Sequence, residues 1–427
     1  MNNTDQSQQT QKSPPPVILK RSISLSLLTL YGLGTILGAG IYVLVGKVAV
    51  YAGLYTPIAF LLAALLAGLS GYSYAALSSR HPKSAGEAIY VQEAFGIKLL
   101  STIVGWMVVL TGVISAATIT KGFVGYLQVF VNIPDFLAIT LLLISMTFLA
   151  IWGVSESVVV TAITTILGIV GLVLILAFSA PAFLTIPQRL PEITPPIFDG
   201  TVWYGILLGS FLAFYAFIGF EDMVNIAEEV KDPKKNLPKA IIAAIVISSL
   251  FYFLIALAAI LQLPLTELTA SKAPMTDIMN KHSKQAAWLI SLISLAAVVN
   301  GALVQIIMGS RVLYGMGRHS LAPAWLATVH NKFQTPYIAT LIIGFVVWVL
   351  ATSLDLTTLA KITSFIILVV FLLVNLALIR VVSKETENSE KGMVVKIWVP
   401  YAGAVMCLLF LGVQIYQVIS GSVLAGH

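Results

Sequence analysis

The sequence predicts an all-α integral membrane protein of about eleven transmembrane helices, organised as a five-plus-five inverted repeat with one further, peripheral helix. Hydrophobic residues make up 58% of the 427 and charged residues only 10%, whereas an ordinary soluble domain carries roughly 45–50% and 25%. Apolar runs of span length recur along the chain, since about 20 helical residues cross a hydrocarbon core roughly 30 Å thick. Strands of a membrane barrel would be half as long and alternating. The third observation is the placing of Lys and Arg, which collect in cytoplasmic loops. With the N-terminus inside, seventeen of the 24 basic residues fall on the cytoplasmic side, and an odd span count puts the C-terminus outside.

The elements follow in order. Residues 1–22, rich in Gln and Ser and carrying Pro14, Pro15 and Pro16, cannot bury a core and predict a disordered cytoplasmic tail. Lys20 and Arg21 before an apolar run imitate a signal peptide, but the run is too long for one and many spans follow, so it is read as a retained first helix. Spans are expected at 24–50, 55–78, 99–126, 136–153 and 158–180. A breaker-rich outer connection, 181–200, carries Pro187, Pro191, Pro195 and Pro196 and separates the halves. Further spans are expected at 203–230, 239–263, 285–316, 336–354 and 356–382. The halves are thus 23–180 and 201–383, opposite in orientation as in inverted-repeat transporters. Residues 384–427 hold the peripheral span, 395–419.

Two spans carry residues that lipid alone does not call for. The first holds Gly32, Gly34, Gly38 and Gly40, each of which weakens a helix. A break at mid-membrane persists only where it lines a cavity or holds a ligand. The break is expected from Gly38 to Ile41, where freed N–H groups at a half-helix N-terminus suit a substrate carboxylate. The competing reading is close packing of small residues through Gly34 and Gly38. A dinucleotide fingerprint is excluded by Leu37, which stands where that motif needs Gly. The sixth span holds Gly219, Phe220, Glu221 and Asp222. Acids at bilayer depth cost about 2.5–3.5 kcal/mol on insertion scales, so these face water, a partner or a second helix break. The plainer reading is an acid that only caps freed backbone. The mixed-charge stretch 228–239 reads as a solvated cytoplasmic loop. Lys121 and Lys361, inside spans near the outer interface, read as snorkelling side chains.

Together these segments resemble the amino acid-polyamine-organocation transporter superfamily, whose first helix has a GxGxxIGxGI-type break and whose sixth has an FxGFD or FxGFE segment. The stretch 227–238, the run from Ala85 to Val91 and the run from Gly309 to Tyr314 match as well, and the similarity covers spans one to ten in order. It implies a LeuT-like fold and a secondary active permease of amino acids, working by proton symport or exchange through alternating access. A polyamine or organic-cation antiporter is the alternative. Carried over residue by residue, the carboxylate site falls on Gly38, Ala39, Gly40 and Ile41. The amine-binding carbonyls fall on Tyr215, Ala216 and Ile218, with Tyr215 also an aromatic gate. Glu221 and Asp222 become coupling candidates. Gly153 to Ser157 match the opening sequence of the fifth span, but Gly168 replaces the lysine of many proton-coupled and exchanging members. Asn300 stands where sodium-coupled relatives use hydroxyl residues, with Ser291 and Ser294 a few turns away, so no sodium signature is evident.

Other classes fit poorly. Cys407 is the only cysteine and the five histidines lie in loops or at the terminus, so no disulfide, metal centre or cofactor is expected, and no enzyme. Nucleic acid is excluded, because no basic stripe interleaves with aromatics. A channel would need a repeated ring or a re-entrant loop, and neither is visible. The expected partners are an amino acid or related small molecule, a proton and membrane lipid. The expected location is the plasma or inner membrane.

Overall fold

Glycine and proline set the ends and interruptions of helices that are otherwise continuous by composition. The computed structural model describes residues 21–83, 86–152, 158–318, 322–333, 335–385 and 392–424. In this range the fold is built from helices, with one isolated β-bridge between Ile23 and Val230. The tail before residue 21 and the run from Gly153 to Ser157 lie outside the described residues.

The first half holds α1 (Leu25–Ile36), α2 (Ala39–Ala52), α3 (Thr56–Arg80), α4 (Gly86–Phe95), α5 (Lys98–Leu127), α6 (Asp135–Trp152) and α7 (Val158–Phe183). The chain turns between α2 and α3 through a short 3-10 turn opening on Gly53, whose φ of 56° favours glycine. Then come α8 (Ile186–Ile193), α9 (Gly200–Phe214), α10 (Asp222–Asn225), α11 (Pro233–Gln262), α12 (Leu265–Ala270), α13 (Pro274–Asn280), α14 (Lys284–Arg318), α15 (Tyr337–Ser353), α16 (Leu356–Lys384) and α17 (Trp398–Leu424). Among the described residues nine segments are long and apolar enough to cross a membrane. One of them, Leu25–Arg80, is 56 residues long and doubles back, so it supplies two spans. With the shorter apolar helix Tyr337–Ser353, that gives the eleven spans of the sequence reading.

Several boundaries differ from expectation. Residue 22 is not loose tail, because its N–H donates to the Glu229 carbonyl at 2.9 Å. The expected loop 228–239 is helical from Pro233 onward, since proline at a first helical position gives up an N–H that had no partner there. In the outer connection α7 runs on to Phe183, through Pro181, and α8 forms a short helix with Pro191 inside it. The sixth span is not one rod: α9 ends at Phe214, a 3-10 turn covers Tyr215–Phe217, and helix resumes only at Asp222.

Helices five spans apart pack together. α3 lies against α11, α5 against α14, α6 against α15, and the half-helices α2 and α1 meet α9 and α10. α17 packs on the outside of this set, against α16 and α3. A buried polar knot ties α3 to α16 beneath it: the Asn375 amide donates to Ser70 Oγ at 3.1 Å, and Ser73 Oγ donates to Asn375 Oδ1 at 2.7 Å. At one end of the bundle Arg80 and Glu385 form an ion pair at 2.5 Å.

Candidate functional site

Both glycine-bearing spans break, and the breaks meet. In the first span Leu37 and Gly38 lie outside the helix, and α2 starts from Gly38 as its cap without a side-chain acceptor. The interruption therefore sits at the front edge of the expected Gly38 to Ile41 stretch, which itself supplies the first turn of α2. In the sixth span Gly219 takes a φ of 127°, a region side-chain-bearing residues rarely adopt. A Cβ there would lie 2.7 Å from the Thr35 carbonyl oxygen, so the second break is pressed directly onto the first helix.

Two hydroxyls tie the breaks together. Thr35 Oγ1 lies 2.9 Å from the Gly32 carbonyl and 2.9 Å from the Gly219 carbonyl. Tyr252, buried in α11, places its hydroxyl 2.5 Å from the Ile36 carbonyl and 2.7 Å from the Ala216 carbonyl. The Ile36, Ala216 and Gly219 carbonyls lie where helix interruption removes partners, and lipid offers none. Glu221 serves the same end, because its Oε2 accepts the Gly219 N–H at 2.8 Å. The capping geometry of the plainer sequence reading is thus present at Glu221.

One cavity lies between the breaks. Its walls include Thr35, Gly38, Gly40, Ser115, Ile119, Tyr215, Ala216, Ile218, Gly301, Val304 and Gln305. Gly38, Gly40, Tyr215, Ala216 and Ile218 of the expected site thus converge, while Ile41 is buried away from the walls. Ala39 stands in the first turn of α2. The Tyr215 hydroxyl reaches across to α5, donating to the Ser115 carbonyl at 3.2 Å and sharing a 2.9 Å bond with the Ser115 hydroxyl. The space measures about 20 Å³, room for roughly one water molecule, so in this conformation it is too small for an amino acid.

The glycines divide their work. Cβ atoms at Gly32, Gly34 and Gly40 would fall 2.3 Å from Met223 Sδ, 2.1 Å from Thr165 Oγ1 and 2.5 Å from Ala216 Cα. Those three are close-packing contacts. Gly38 differs, since a Cβ there would meet nothing nearer than the Gly34 carbonyl at 3.5 Å. The small-residue packing considered from the sequence holds for Gly34 and not for Gly38.

The remaining candidates fall in two neighbouring spaces. Glu221 and Asp222 line a second cavity that shares Ile218 and Gln305 with the first, and the Gln305 amide donates to Asp222 Oδ2 at 3.3 Å. Gly168 and Asn300 line a third, with Gly34, Gly38, Thr164 and Thr165. The Gly168 carbonyl accepts from Tyr42 Oη at 2.8 Å. Ser291 and Ser294 stay out of it, bonding the carbonyls of Ala287 and Ile290 on their own helix.

Sequence reading passed over Glu87. It sits in α4, between the second and third spans, 2% exposed and accepting from Tyr74 Oη at 3.3 Å. Burial, with a lesser push from Asp222, raises its carboxyl from the usual 4.5 to about 7. The signal was available only as an acid inside an otherwise apolar and small-residue run.

The sequence pattern of a family described as amino acid permease matches residues 23–423. A branched-chain amino acid permease of Bacillus subtilis (strain 168) is 29% identical over 397 residues, covering 86% of this chain and 82% of that protein. A methylthioribose transporter of the same organism is 28% identical over 416 residues, 92% of this chain and 88% of its own. A mitochondrial cationic amino acid transporter 3 of Arabidopsis thaliana is 29% identical over 387 residues, 84% of this chain but 62% of the longer plant protein. The chain belongs to the amino acid permease family of membrane transporters, and it is not an enzyme.

Proposed function

We propose that this amino acid permease carries neutral, apolar amino acids across the cell membrane by alternating access, with its N-terminus cytoplasmic, by proton symport or by exchange. The observation that carries the choice of substrate is the wall of the central cavity. It holds main-chain polar groups and hydroxyls at the breaks, small or apolar side chains at Ile119, Gly301 and Val304, the neutral Gln305 amide and, among the described residues, no ionised side chain. The substrate's carboxylate is met by the amide end of α2 and its ammonium by carbonyls near Tyr215, Ala216 and Ile218. A cationic side chain or a polyamine would bury a second positive charge without a counter-charge, at a cost of several kcal/mol. The acids lie one cavity away.

The five-plus-five arrangement is supported by the packing of spans against partners five places on and by breaks in the first span of each half. Proton rather than sodium coupling rests on the buried acids beside the cavity. Uptake into proteoliposomes of a panel of neutral and cationic amino acids and polyamines, with and without pH and sodium gradients, tests all of this. Saturable uptake of neutral amino acids, indifferent to sodium, is expected. Uptake of polyamines alone, or uptake that needs sodium and ignores pH, overturns it.

A further inference from the structure

We infer that Glu87 is the group through which this transporter takes up and releases a proton as its inner side closes and opens, in concert with Asp222. The inference rests on the permease reading above and adds to it a residue outside the substrate cavity.

The geometry begins with the docking of α4. A Cβ at Gly86 would lie 2.4 Å from Val224 Cγ2, so the start of α4 is in direct contact with α10, the half-helix beyond the second break. Glu87 follows at once and is sealed from solvent. Its carboxyl receives the Tyr74 hydroxyl from α3, and the charge it feels from α10 is that of Asp222. Asp222 in turn lines the cavity that adjoins the substrate cavity through Ile218 and Gln305. Acidic groups therefore run from the cavity beside the substrate cavity to the loop helix α4.

No cation among the described residues neutralises Glu87. From α16, Arg380 and Lys384 approach α4 only at its far end, where both donate to the Ala94 carbonyl. From α5, Ser101 donates to the Ala88 carbonyl, and Lys98 stands beyond the end of α4. From α3, Arg80 is taken by Glu385. On α4 itself Glu93 is exposed, and the Tyr90 hydroxyl is buried and without a hydrogen-bond partner among the described residues. Glu221, the acid just before α10, is already held by the Gly219 amide. A proton is the one neutralising partner left, and a free donor lies a turn away.

The balance is a plain proton transfer. When the inner side closes, water leaves Glu87, and its carboxylate binds a proton on one oxygen. When the inner side opens, water returns, the O–H bond breaks, and the proton leaves to the cytoplasm. Because burial raises the Glu87 carboxyl, the closed form loses no stability to it below the usual 4.5 and is progressively disfavoured as pH rises from there to about 7.

Glu87→Gln keeps the shape and cannot release a proton. In proteoliposomes the variant is expected to lose pH-gradient-driven accumulation of a neutral amino acid while still exchanging it, and Glu87→Asp is expected to keep accumulation with a shifted pH profile. A second readout is independent of transport: the infrared band of a protonated carboxyl group in purified protein at neutral pH should vanish in the properly folded Glu87→Gln variant. Accumulation with an unchanged pH profile in Glu87→Gln, pH-indifferent wild-type uptake, or an unchanged infrared band overturns the inference. Wild-type protein that moves no amino acid in either mode contradicts the permease reading instead, and the infrared band then decides Glu87 by itself.

Discussion

Tyr252 donates one proton to a place where two broken helices leave carbonyls short of partners. Removing that hydroxyl takes a donor from the Ile36 and Ala216 carbonyls at a buried position where Tyr252 itself packs against the rings of Phe60 and Phe217. Tyr252→Phe is therefore expected to lower stability in detergent by about 0.5–2 kcal/mol, the range of interhelical hydrogen bonds in membranes, and to slow uptake. Thermal unfolding beside transport measures it; unchanged values in both would show that water satisfies these carbonyls. Gly38 and Gly40 make a sharper pair. Gly38→Ala has space and should fold normally while weakening substrate binding, whereas Gly40→Ala drives a methyl group onto the Ala216 backbone and should destabilise the fold. Equal effects at the two positions would contradict the division of roles. Some of this was legible in sequence, because glycine clusters and paired acids are local signals. Tyr252 was not, since it meets Ile36 across 216 residues and nothing in its own apolar run marks it.

At the scale of elements, the break in the first span could be placed within about a residue because a lone stretch of glycines is costly in a helix. The second was harder to read. Phe211 to Phe217 are apolar and aromatic, and only the conformation of Gly219 shows why helix stops after them. The start of α11 was missed because charge and proline look like loop, although Pro233 in a first turn favours helix. The segment before α1 gives a further test. Ser22 and Ile23 donate to the Glu229 carbonyl, and the Lys231 amide donates to the Ile23 carbonyl, joining the chain before the first span to the chain after the sixth. Ile23→Pro removes one donor from this clasp. The variant should open more readily on the clasp side, seen as faster labelling of a cysteine placed at Asn225, which lines the acidic cavity. Labelling at the wild-type rate would show that the clasp does not hold the gate.

Over the whole molecule, apolar run length was enough to predict the helical membrane fold, because the bilayer imposes it on any helical chain that crosses it. The place where the spans converge is set by packing between residues far apart in sequence, and the burial of Glu87 against α10 belongs to that level. The central claim is that a neutral amino acid is held by main-chain groups between two broken helices. Substrate-induced thermal stabilisation of the purified wild-type protein, with one neutral amino acid, its methyl ester and a cationic amino acid in parallel, tests it most directly. The predicted result is a clear rise in melting temperature with the free neutral acid and little or none with the ester or the cationic amino acid. Equal stabilisation by the ester would contradict a carboxylate site at the start of α2.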